Sequence, residues 1–290
     1  MAMKLGNENL KEVFLDGSKN HFYVKDESVN PSGSVKDIPV YYILSSLKKD
    51  GTLTKESVVI EATSGNTGIG LAYFQKEFGY KAIIVLPASA SQGRKDLIKK
   101  YGATLVEVNG GGMKACKEKV QQLLAEIPHS FEFNQYNQPL NVESHIVITA
   151  PQIEKSLPNP DYIFAGIGTG GTVTGISRYF HDKGNPVKVI GVEPTESPLI
   201  TKGTANPHKI EGIGANFIPS IFSKQYLKDV VTVSYQEALE GAKILHEQGY
   251  FVGVSAGAAL KAAYNYSVSH NLTNQKIVVI LPDSGDRYQW

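Results

Sequence analysis

Hydrophobic positions follow two alternating periods along most of the 290-residue chain. Short runs rich in β-branched residues predict strands at residues 58–60, 82–86, 104–108, 162–164, 187–192, 230–233 and 277–281. Amphipathic spacing predicts helices near 69–78, 97–101, 114–127, 142–156 and 236–247, the last opened by a Ser-x-x-Glu capping box. Strands that alternate with helices of this length indicate an α/β fold, in which parallel sheets are covered on both faces.

A faint internal similarity suggests that the chain forms two halves. Ser-Gly-Asn-Thr-Gly at 64–68 and Gly-Thr-Gly-Gly-Thr at 168–172 each follow a predicted strand, and each opens a helical pattern that ends in an aromatic pair. The polar stretch 133–141 is where we expect the chain to cross between the halves. The predicted architecture is therefore two three-layer α/β domains with mainly parallel sheets.

Composition and charge exclude several kinds of partner. The net charge is +1 and 41% of the residues are hydrophobic, so nothing favours nucleic acid or a charged membrane surface. The single cysteine, Cys116, cannot form an internal disulfide and fits a reducing compartment. Residues 1–5 contain no long apolar run, so we expect no signal peptide and a cytoplasmic protein. The histidines are not clustered as metal ligands, and no metal site is expected.

The glycine-rich loop at 166–171 allows more than one interpretation. Gly-Ile-Gly-Thr-Gly-Gly matches the dinucleotide fingerprint G-x-G-x-x-G, and Glu193 follows where a ribose-binding acid is expected, which favours NAD. The same glycines, threonine hydroxyls and helix N-terminus also fit any phosphate ester, including a terminal dianionic phosphate. A tight turn without a ligand is the structural alternative.

Two earlier segments could also carry chemistry. Thr-Ser-Gly-Asn-Thr-Gly at 63–68 offers hydroxyls and amides at a helix N-terminus without Lys or Arg, which suits a weakly held carboxylate or only caps the helix. In Asn-Pro-Ser-Gly-Ser-Val-Lys-Asp at 30–37, Lys36 follows a turn and precedes an apolar stretch. It is either a solvated charge or a desolvated lysine able to act as nucleophile or base.

Together these segments resemble the fold-type II enzymes that use pyridoxal phosphate (PLP), specifically the cysteine synthase and cystathionine β-synthase family. The resemblance rests on motifs that occur in family order at 30–37, 63–68, 168–172, 212–215, 253–258 and 281–288. Any one motif alone is weak evidence, but the whole set at this spacing overturns the NAD interpretation.

The resemblance implies a role for each matching residue. Lys36 would bind PLP as an imine and later move the substrate's α-proton, and Ser64 would be a second catalytic residue. The cofactor would be held by Gly168, Thr169, Gly170, Gly171 and Thr172 at its phosphate, by Asn66 at the ring's 3′-oxygen and by Ser255 at the pyridine nitrogen. The substrate would be bound by Thr63, Ser64, Asn66, Thr67, Gln135, Gly214, Ala215 and Asn216.

The resemblance also implies an architecture like that of the tryptophan synthase β subunit. Residues 1–37 and 142–290 would form a larger PLP-binding domain, and residues 38–141 a smaller mobile domain carrying the substrate-carboxylate loop. A homodimer is implied as well. The expected reactants are a small amino acid and sulfide, a thiol or water as the nucleophile.

Departures from the family pattern keep the substrate open. Ala90 stands where a bulky methionine is usual. Asn216 stands where cysteine synthases typically carry glycine, and where cystathionine β-synthases and some hydrogen-sulfide-producing relatives carry aspartate. Asn216 either hydrogen-bonds a polar ligand or adopts a left-handed turn. The first hypothesis is β-replacement through an α-aminoacrylate, from O-acetylserine and sulfide to cysteine and acetate. The alternative enzyme consumes cysteine, releases hydrogen sulfide and forms serine, lanthionine or cystathionine. A catalytically silent relative is a third possibility, opposed by the intact Lys36, Asn66 and Ser255.

Overall fold

The computed structural model describes residues 5–288 and residue 290. The chain divides into two compact units: unit 1 takes the segments up to Val35 and from Asn141 onward, and unit 2 is Lys36–Leu140. The predicted domains differ at the boundaries, because Lys36 begins unit 2 and Asn141 belongs to unit 1. The mobility of the smaller domain stays a prediction. Residues 1–4, on which the expectation of no signal peptide largely rests, lie outside the described residues.

The strands of the two units are short and mostly buried. In chain order they are β1 (Lys11–Val13), β2 (His21–Asp26), β3 (Val58–Ala62), β4 (Lys81–Pro87), β5 (Thr104–Val108), β6 (Ser130–Glu132), β7 (Tyr162–Gly166), β8 (Lys188–Pro194), β9 (Asp229–Val233) and β10 (Lys276–Leu281). All five residues of β3 and the last five residues of β10 are buried, as expected for parallel strands covered on both faces.

Ten α-helices alternate with these strands in the described part of the chain. They are α1 (Asp37–Lys49), α2 (Asn66–Phe78), α3 (Gln92–Lys100), α4 (Gly112–Glu126), α5 (Pro139–Ser144), α6 (Ala150–Ser156), α7 (Gly171–Asp182), α8 (Leu199–Lys202), α9 (Tyr235–Glu247) and α10 (Val254–Ser269). One turn of π-helix, His145–Thr149, joins α5 to α6. None of the described helices is long and apolar enough to cross a lipid bilayer.

Unit 1 is a three-layer sandwich around a six-stranded sheet of order β1-β2-β10-β7-β8-β9. All neighbouring strands are parallel except β1, which pairs antiparallel with β2. Alternate residues of the strands enter two cores: Phe164 packs in the core with α9 and α10, and Ile163 in the core with α6 and α7. This alternation is the two-residue period of a strand buried on both faces.

Unit 2 is built around a parallel four-stranded sheet of order β5-β4-β3-β6. Ile60 of β3 packs in a core with Cys116 and Val120 of α4. Gly68 of α2 lies against Ile84 of β4, close enough that a Cβ atom on the glycine would be 2.9 Å from the isoleucine side chain. Because the α2 backbone lies this close to the isoleucine side chain, the packing favours a glycine at position 68.

The predicted α/β class with parallel sheets is confirmed, and every predicted strand overlaps an observed one. The pattern missed β1, β2 and β6, of which β1 and β6 are three residues long and too short to show a period. The capping box is confirmed: the Ser234 hydroxyl accepts from the Glu237 amide, and the Glu237 carboxylate accepts from the Ser234 amide. The helix predicted at 142–156 is interrupted by the π-helical turn, which the hydrophobic period did not indicate.

Candidate active site

The loop from β7 to α7 in unit 1 is a glycine-rich turn whose backbone amides lead into the N-terminus of α7. Gly170 precedes α7 with a φ of +81°, and the helix has no side-chain cap. The Thr169 hydroxyl accepts a hydrogen bond from the Gly171 amide at 3.2 Å, which closes the turn. The first amides of a helix without a side-chain cap attract an anion, because they carry the positive end of the helix dipole.

The glycines of this loop leave no room for side chains. A Cβ atom would lie 2.2 Å from the Gly212 carbonyl oxygen if added to Gly168, and 2.0 Å from the Asn141 side-chain oxygen if added to Gly171. On Gly170 it would lie 2.6 Å from Phe222. The backbone therefore forms a narrow cradle with two threonine hydroxyls at its rim, and these donors fit the phosphate of PLP.

Side chains from α5 and the π-helical turn support this cradle. The Asn141 amide donates to the Thr169 hydroxyl at 3.3 Å, and the His145 Nε2 atom lies 3.2 Å from the Thr172 hydroxyl. The other ring nitrogen of His145 is 2.8 Å from the Thr149 hydroxyl. The approach is close, since a Cβ on Gly175 of α7 would be 2.6 Å from the Cβ of His145. The sequence did not indicate a role for His145, because only the π-helical turn places it beside Thr172.

Glu193 does not have the free carboxylate that a ribose-binding acid needs. It is 1% exposed, and its Oε2 accepts from the Ile200 amide at 2.8 Å. Its Oε1 accepts from both the amide and the hydroxyl of Thr201, at 2.9 and 2.6 Å. Both oxygens are thus occupied in holding α8, and the geometry gives the NAD interpretation no support.

Two further predicted residues, Gly214 and Ala215, line a small pocket in unit 1 together with Gly168 and Phe217. Gly214 has a φ of +69°, and its carbonyl accepts from His208 Nε2 at 2.8 Å. Asn216, between Ala215 and Phe217, is exposed and does not have a positive φ. Its interpretation as a left-handed turn residue is therefore wrong.

Ser255 lies at the N-terminus of α10 in unit 1 and is 2% exposed. The residue before the helix, Gly253, donates its amide to the Asp283 carbonyl at 3.1 Å. A Cβ on Gly253 would be 2.4 Å from the Asp283 carboxylate, so the 253–258 and 281–288 motifs pack directly against each other. Tyr288 fixes the same carboxylate through its hydroxyl, at 2.7 Å.

The segment that leads to Lys36 is hydrogen-bonded to the 281–288 motif. Val35 donates its amide to the Pro282 carbonyl at 2.7 Å, and the Arg287 guanidinium donates to the Ser32 carbonyl. Lys36 then begins unit 2 and directly precedes α1, where its carbonyl accepts from the Val40 amide at 3.1 Å. Its side chain is half-buried between fully buried neighbours.

The loop from β3 to α2 carries the other predicted residues in unit 2. Thr63 and Thr67 are buried, while Ser64 and Asn66 are half-buried. The helix begins at Asn66 without a side-chain cap, so its first amides can bind an anion. The Thr67 hydroxyl donates to the Gln135 side-chain oxygen at 2.6 Å, and the structure thus brings the loop and Gln135 together.

Glu61, which sequence reasoning missed, lies behind these residues. It is 2% exposed on β3, and its carboxylate accepts from the Asn134 amide at 2.8 Å and the Gln135 amide at 3.4 Å. Burial raises the pKa of Glu61 to about 8, although these hydrogen bonds oppose the rise. Burial, followed by the charge of Glu61, raises the pKa of the Tyr136 hydroxyl to about 12.

Comparison with known proteins gives consistent matches over most of the chain. A family model for pyridoxal-phosphate dependent enzymes matches residues 10–283. Cysteine synthase B of Campylobacter jejuni is 38% identical over 268 residues, covering 92% of this chain and 89% of that protein. Cysteine synthase A of Escherichia coli strain K12 is 40% identical over 278 residues, covering 91% and 85%.

Among solved structures, a hydrogen sulfide-producing enzyme from Fusobacterium nucleatum aligns with a TM-score of 0.93 at 37% identity. The alignment covers 98% of this chain and 97% of that one. The resemblance inferred from the motifs is thereby confirmed. The chain belongs to the pyridoxal-phosphate dependent enzymes, within the cysteine synthase and cystathionine β-synthase family, and PLP is its cofactor.

Proposed function

We propose that this enzyme is a cysteine synthase that converts O-acetylserine and sulfide into cysteine and acetate. The observation that carries the proposal is the pair of anion sites of different strength. The cradle at 168–172 is shaped for a phosphate, and the loop at 63–67 offers hydroxyls and amides without a cationic side chain, which suits an α-carboxylate that must be released after each turnover. The cysteine synthases that match most of the chain support the same reaction.

Each residue of the cofactor set has a physical role in this proposal. Bound PLP supplies an electron-withdrawing ring that weakens the bonds to the substrate's α-carbon. Lys36 would bind the cofactor covalently and carry the α-proton on its amine, while the cradle amides hold the phosphate and Asn66 donates to the ring oxygen. Ser255 would present a neutral hydroxyl to the ring nitrogen, where some enzymes place a carboxylate. A neutral partner leaves the ring nitrogen unprotonated, which favours elimination of a good β-leaving group.

The substrate set would orient the amino acid by its carboxylate. Thr63, Ser64, Thr67 and Gln135 supply hydroxyl and amide groups around the N-terminus of α2, where the helix dipole adds to the attraction for an anion. An orienting contact remote from the β-carbon raises the fraction of bound substrate in a reactive geometry. The half-buried Ser64 would be the hydroxyl nearest to solvent in this set.

A second candidate reaction starts from cysteine and releases hydrogen sulfide. It is favoured by the exposed Asn216 beside the pocket residues Ala215 and Phe217, and by the structural similarity to a hydrogen sulfide-producing enzyme. Purified protein would be given O-acetylserine with sulfide in one assay and cysteine alone in another. Cysteine formation should exceed sulfide release by at least about ten-fold in turnover per KM. Faster sulfide release from cysteine alone would reject the cysteine synthase assignment.

We also propose a cytoplasmic homodimer. The single, fully buried Cys116 supports a reducing compartment, because it has no second cysteine to pair with. Light scattering on the purified protein would measure the mass directly, and a value near 31.5 kDa, that of one chain, would reject the dimer.

A further inference from the structure

Glu61 is a buried acid directly behind the loop that we assign to the substrate carboxylate. It lies on β3 two residues before Thr63, and its hydrogen-bond partners in the described chain are the amides of Asn134 and Gln135 and the Gln135 side chain. No Lys or Arg among the described residues forms an ion pair with it. A buried carboxyl without a cation costs folding free energy, so it is unexpected at a position that only fills the core.

The turn after β6 is wrapped around this carboxyl. Phe133 continues the parallel pairing by donating its amide to the Ile60 carbonyl at 3.0 Å. Asn134 then adopts a φ of +56°, and its amide and that of Gln135 both donate to Glu61. The left-handed conformation is tolerated by asparagine better than by most residues. The backbone position of Gln135 therefore depends on the Glu61 carboxyl.

A chain of hydrogen bonds runs from Thr67 of the carboxylate loop through the Gln135 side chain to Glu61. The Thr67 hydroxyl donates to the Gln135 side-chain oxygen at 2.6 Å, and the Gln135 side chain in turn donates to Glu61. When Glu61 is ionised, its bond from Gln135 is charge-assisted and therefore stronger. The side-chain amide of Gln135 is then held by Glu61, and the negative charge of Glu61 repels the substrate carboxylate. Both effects weaken binding of the substrate at the loop.

We propose that Glu61 is a positioning residue for the substrate carboxylate: its carboxyl holds Gln135 and, through Gln135, Thr67, and its ionisation weakens substrate binding. The inference rests on the proposed function, because it needs the loop at 63–67 to bind an α-carboxylate. Glu61 touches neither substrate nor cofactor in this role.

Burial brings the ionisation of Glu61 within the pH range of ordinary assays. Two titratable groups interact electrostatically with Glu61: Glu132 of β6 and Tyr136 of the turn. Burial is the main cause of the raised pKa of Glu61, and the charge of Glu132 adds to it. With a pKa of about 8, Glu61 is mostly neutral at pH 7 and mostly ionised above pH 9.

The test compares the wild type with Glu61→Gln in steady-state assays with O-acetylserine and sulfide from pH 6.5 to 9.5. Glutamine keeps a side-chain oxygen that can accept from the two amides, but it cannot ionise. The ratio of wild-type KM to variant KM should rise by about ten-fold between pH 7 and 9.5, while the ratio of kcat values changes by less than about two-fold. Ionisation of the substrate cancels in both ratios. Binding of L-serine, followed by the visible spectrum of the bound cofactor, should show the same trend.

Two other variants separate positioning from general damage. Glu61→Ala removes the acceptor and should raise KM at every pH, and Glu61→Gln should recover part of that loss. Glu132→Gln leaves the contacts of Asn134 and Gln135 intact and should keep the rise in the KM ratio, shifted slightly to lower pH. If Glu61→Ala does not fold, the comparison of Glu61→Gln with the wild type still decides.

Two results would overturn the role of Glu61. One is a KM ratio that stays flat with pH in an active wild type, and the other is a Glu132→Gln variant that behaves like Glu61→Gln. A wild type without a visible cofactor band or without turnover would instead reject the proposed function itself, so the two failures are distinguishable.

Discussion

The Thr67 hydroxyl donates a hydrogen bond to the side-chain oxygen of Gln135 at 2.6 Å, although 68 positions separate the two residues along the chain. The contact follows from the sheet of unit 2, where β3 and β6 are parallel neighbours. Thr67 lies beyond the carboxyl end of β3 and Gln135 beyond that of β6, and these ends meet at the same edge. Both side chains are buried, so the bond is protected from competing water.

Removing this hydroxyl should weaken substrate binding more than turnover. Thr67→Val keeps the shape of the side chain but leaves the Gln135 oxygen without its donor, a loss of about 1–3 kcal/mol for a buried group. We expect KM for the amino-acid substrate to rise by about ten-fold or more with a smaller change in kcat. Thr104→Val, at the exposed start of β5, is the matched control and should change neither. An unchanged KM in Thr67→Val would remove this hydroxyl from the substrate set.

We expect Lys36 to be the lysine to which PLP is covalently bound. Borohydride reduction of the purified enzyme should leave PLP on the peptide containing Lys36, as measured by mass spectrometry. Lys36→Ala should lose this label and at least about a thousand-fold in kcat, because the residue is proposed both to bind the cofactor and to move the proton. Lys49→Ala, at the exposed end of α1, should keep both the label and the activity. Label on another lysine would contradict the assignment.

The cradle should not accept a side chain at Gly171. In Gly171→Ala the added Cβ would lie 2.0 Å from the Asn141 side-chain oxygen, so either the loop or the buried Asn141 side chain that supports it must shift. We expect PLP affinity, measured by absorbance titration of the apoenzyme, to fall by about 100-fold or more. Gly184→Ala is the control: this glycine has a φ of +65° and nothing within 4 Å, so it reports only the ordinary backbone cost. Equal cofactor affinity in the two variants would argue against a phosphate at 168–172.

Because the pKa of Glu61 is raised in the folded state, the folded protein should become less stable as the pH rises. Between its ordinary value of 4.5 and about 8, the folded state binds one more proton than the unfolded state. The free-energy cost of ionising the buried carboxyl is therefore absent below about pH 4.5. As the pH rises to about 8, the wild type should lose a few kcal/mol of unfolding free energy relative to Glu61→Gln. Urea unfolding of both proteins at pH 5 and pH 8.5 measures the difference. A difference that stays constant with pH would show that Glu61 ionises normally.

Asn216 should influence the choice of substrate. Its exposed side chain adjoins Ala215 and Phe217 of the pocket in unit 1, and an aspartate there would add a base that asparagine lacks. We expect Asn216→Asp to raise sulfide release from cysteine by about five-fold or more, and Asn216→Gly to leave it low. Sulfide electrode traces with cysteine alone check both. Equal rates in the two variants would remove this position from substrate selection.

Much of the fold follows from local sequence. The two-residue and 3.6-residue periods located the central strands of both sheets and most of the helices, because burial on two faces leaves an apolar run that is visible without the structure. Elements of three residues, β1 and β6, carry too few positions to show a period. The amphipathic pattern at 142–156 predicted one helix, and the hydrophobic period did not indicate the π-helical turn within it.

The candidate site divides in the same way. The motifs around Lys36, at 63–68 and at 168–172 were determined by the sequence alone, since glycine, hydroxyl and lysine chemistry is written in adjacent residues. The burial of Glu61, the bond from Thr67 to Gln135 and the support of Thr172 by His145 were decided only by the tertiary structure. Each of these depends on segments far apart in the sequence coming together in the folded chain, and such contacts leave no local period or spacing to read.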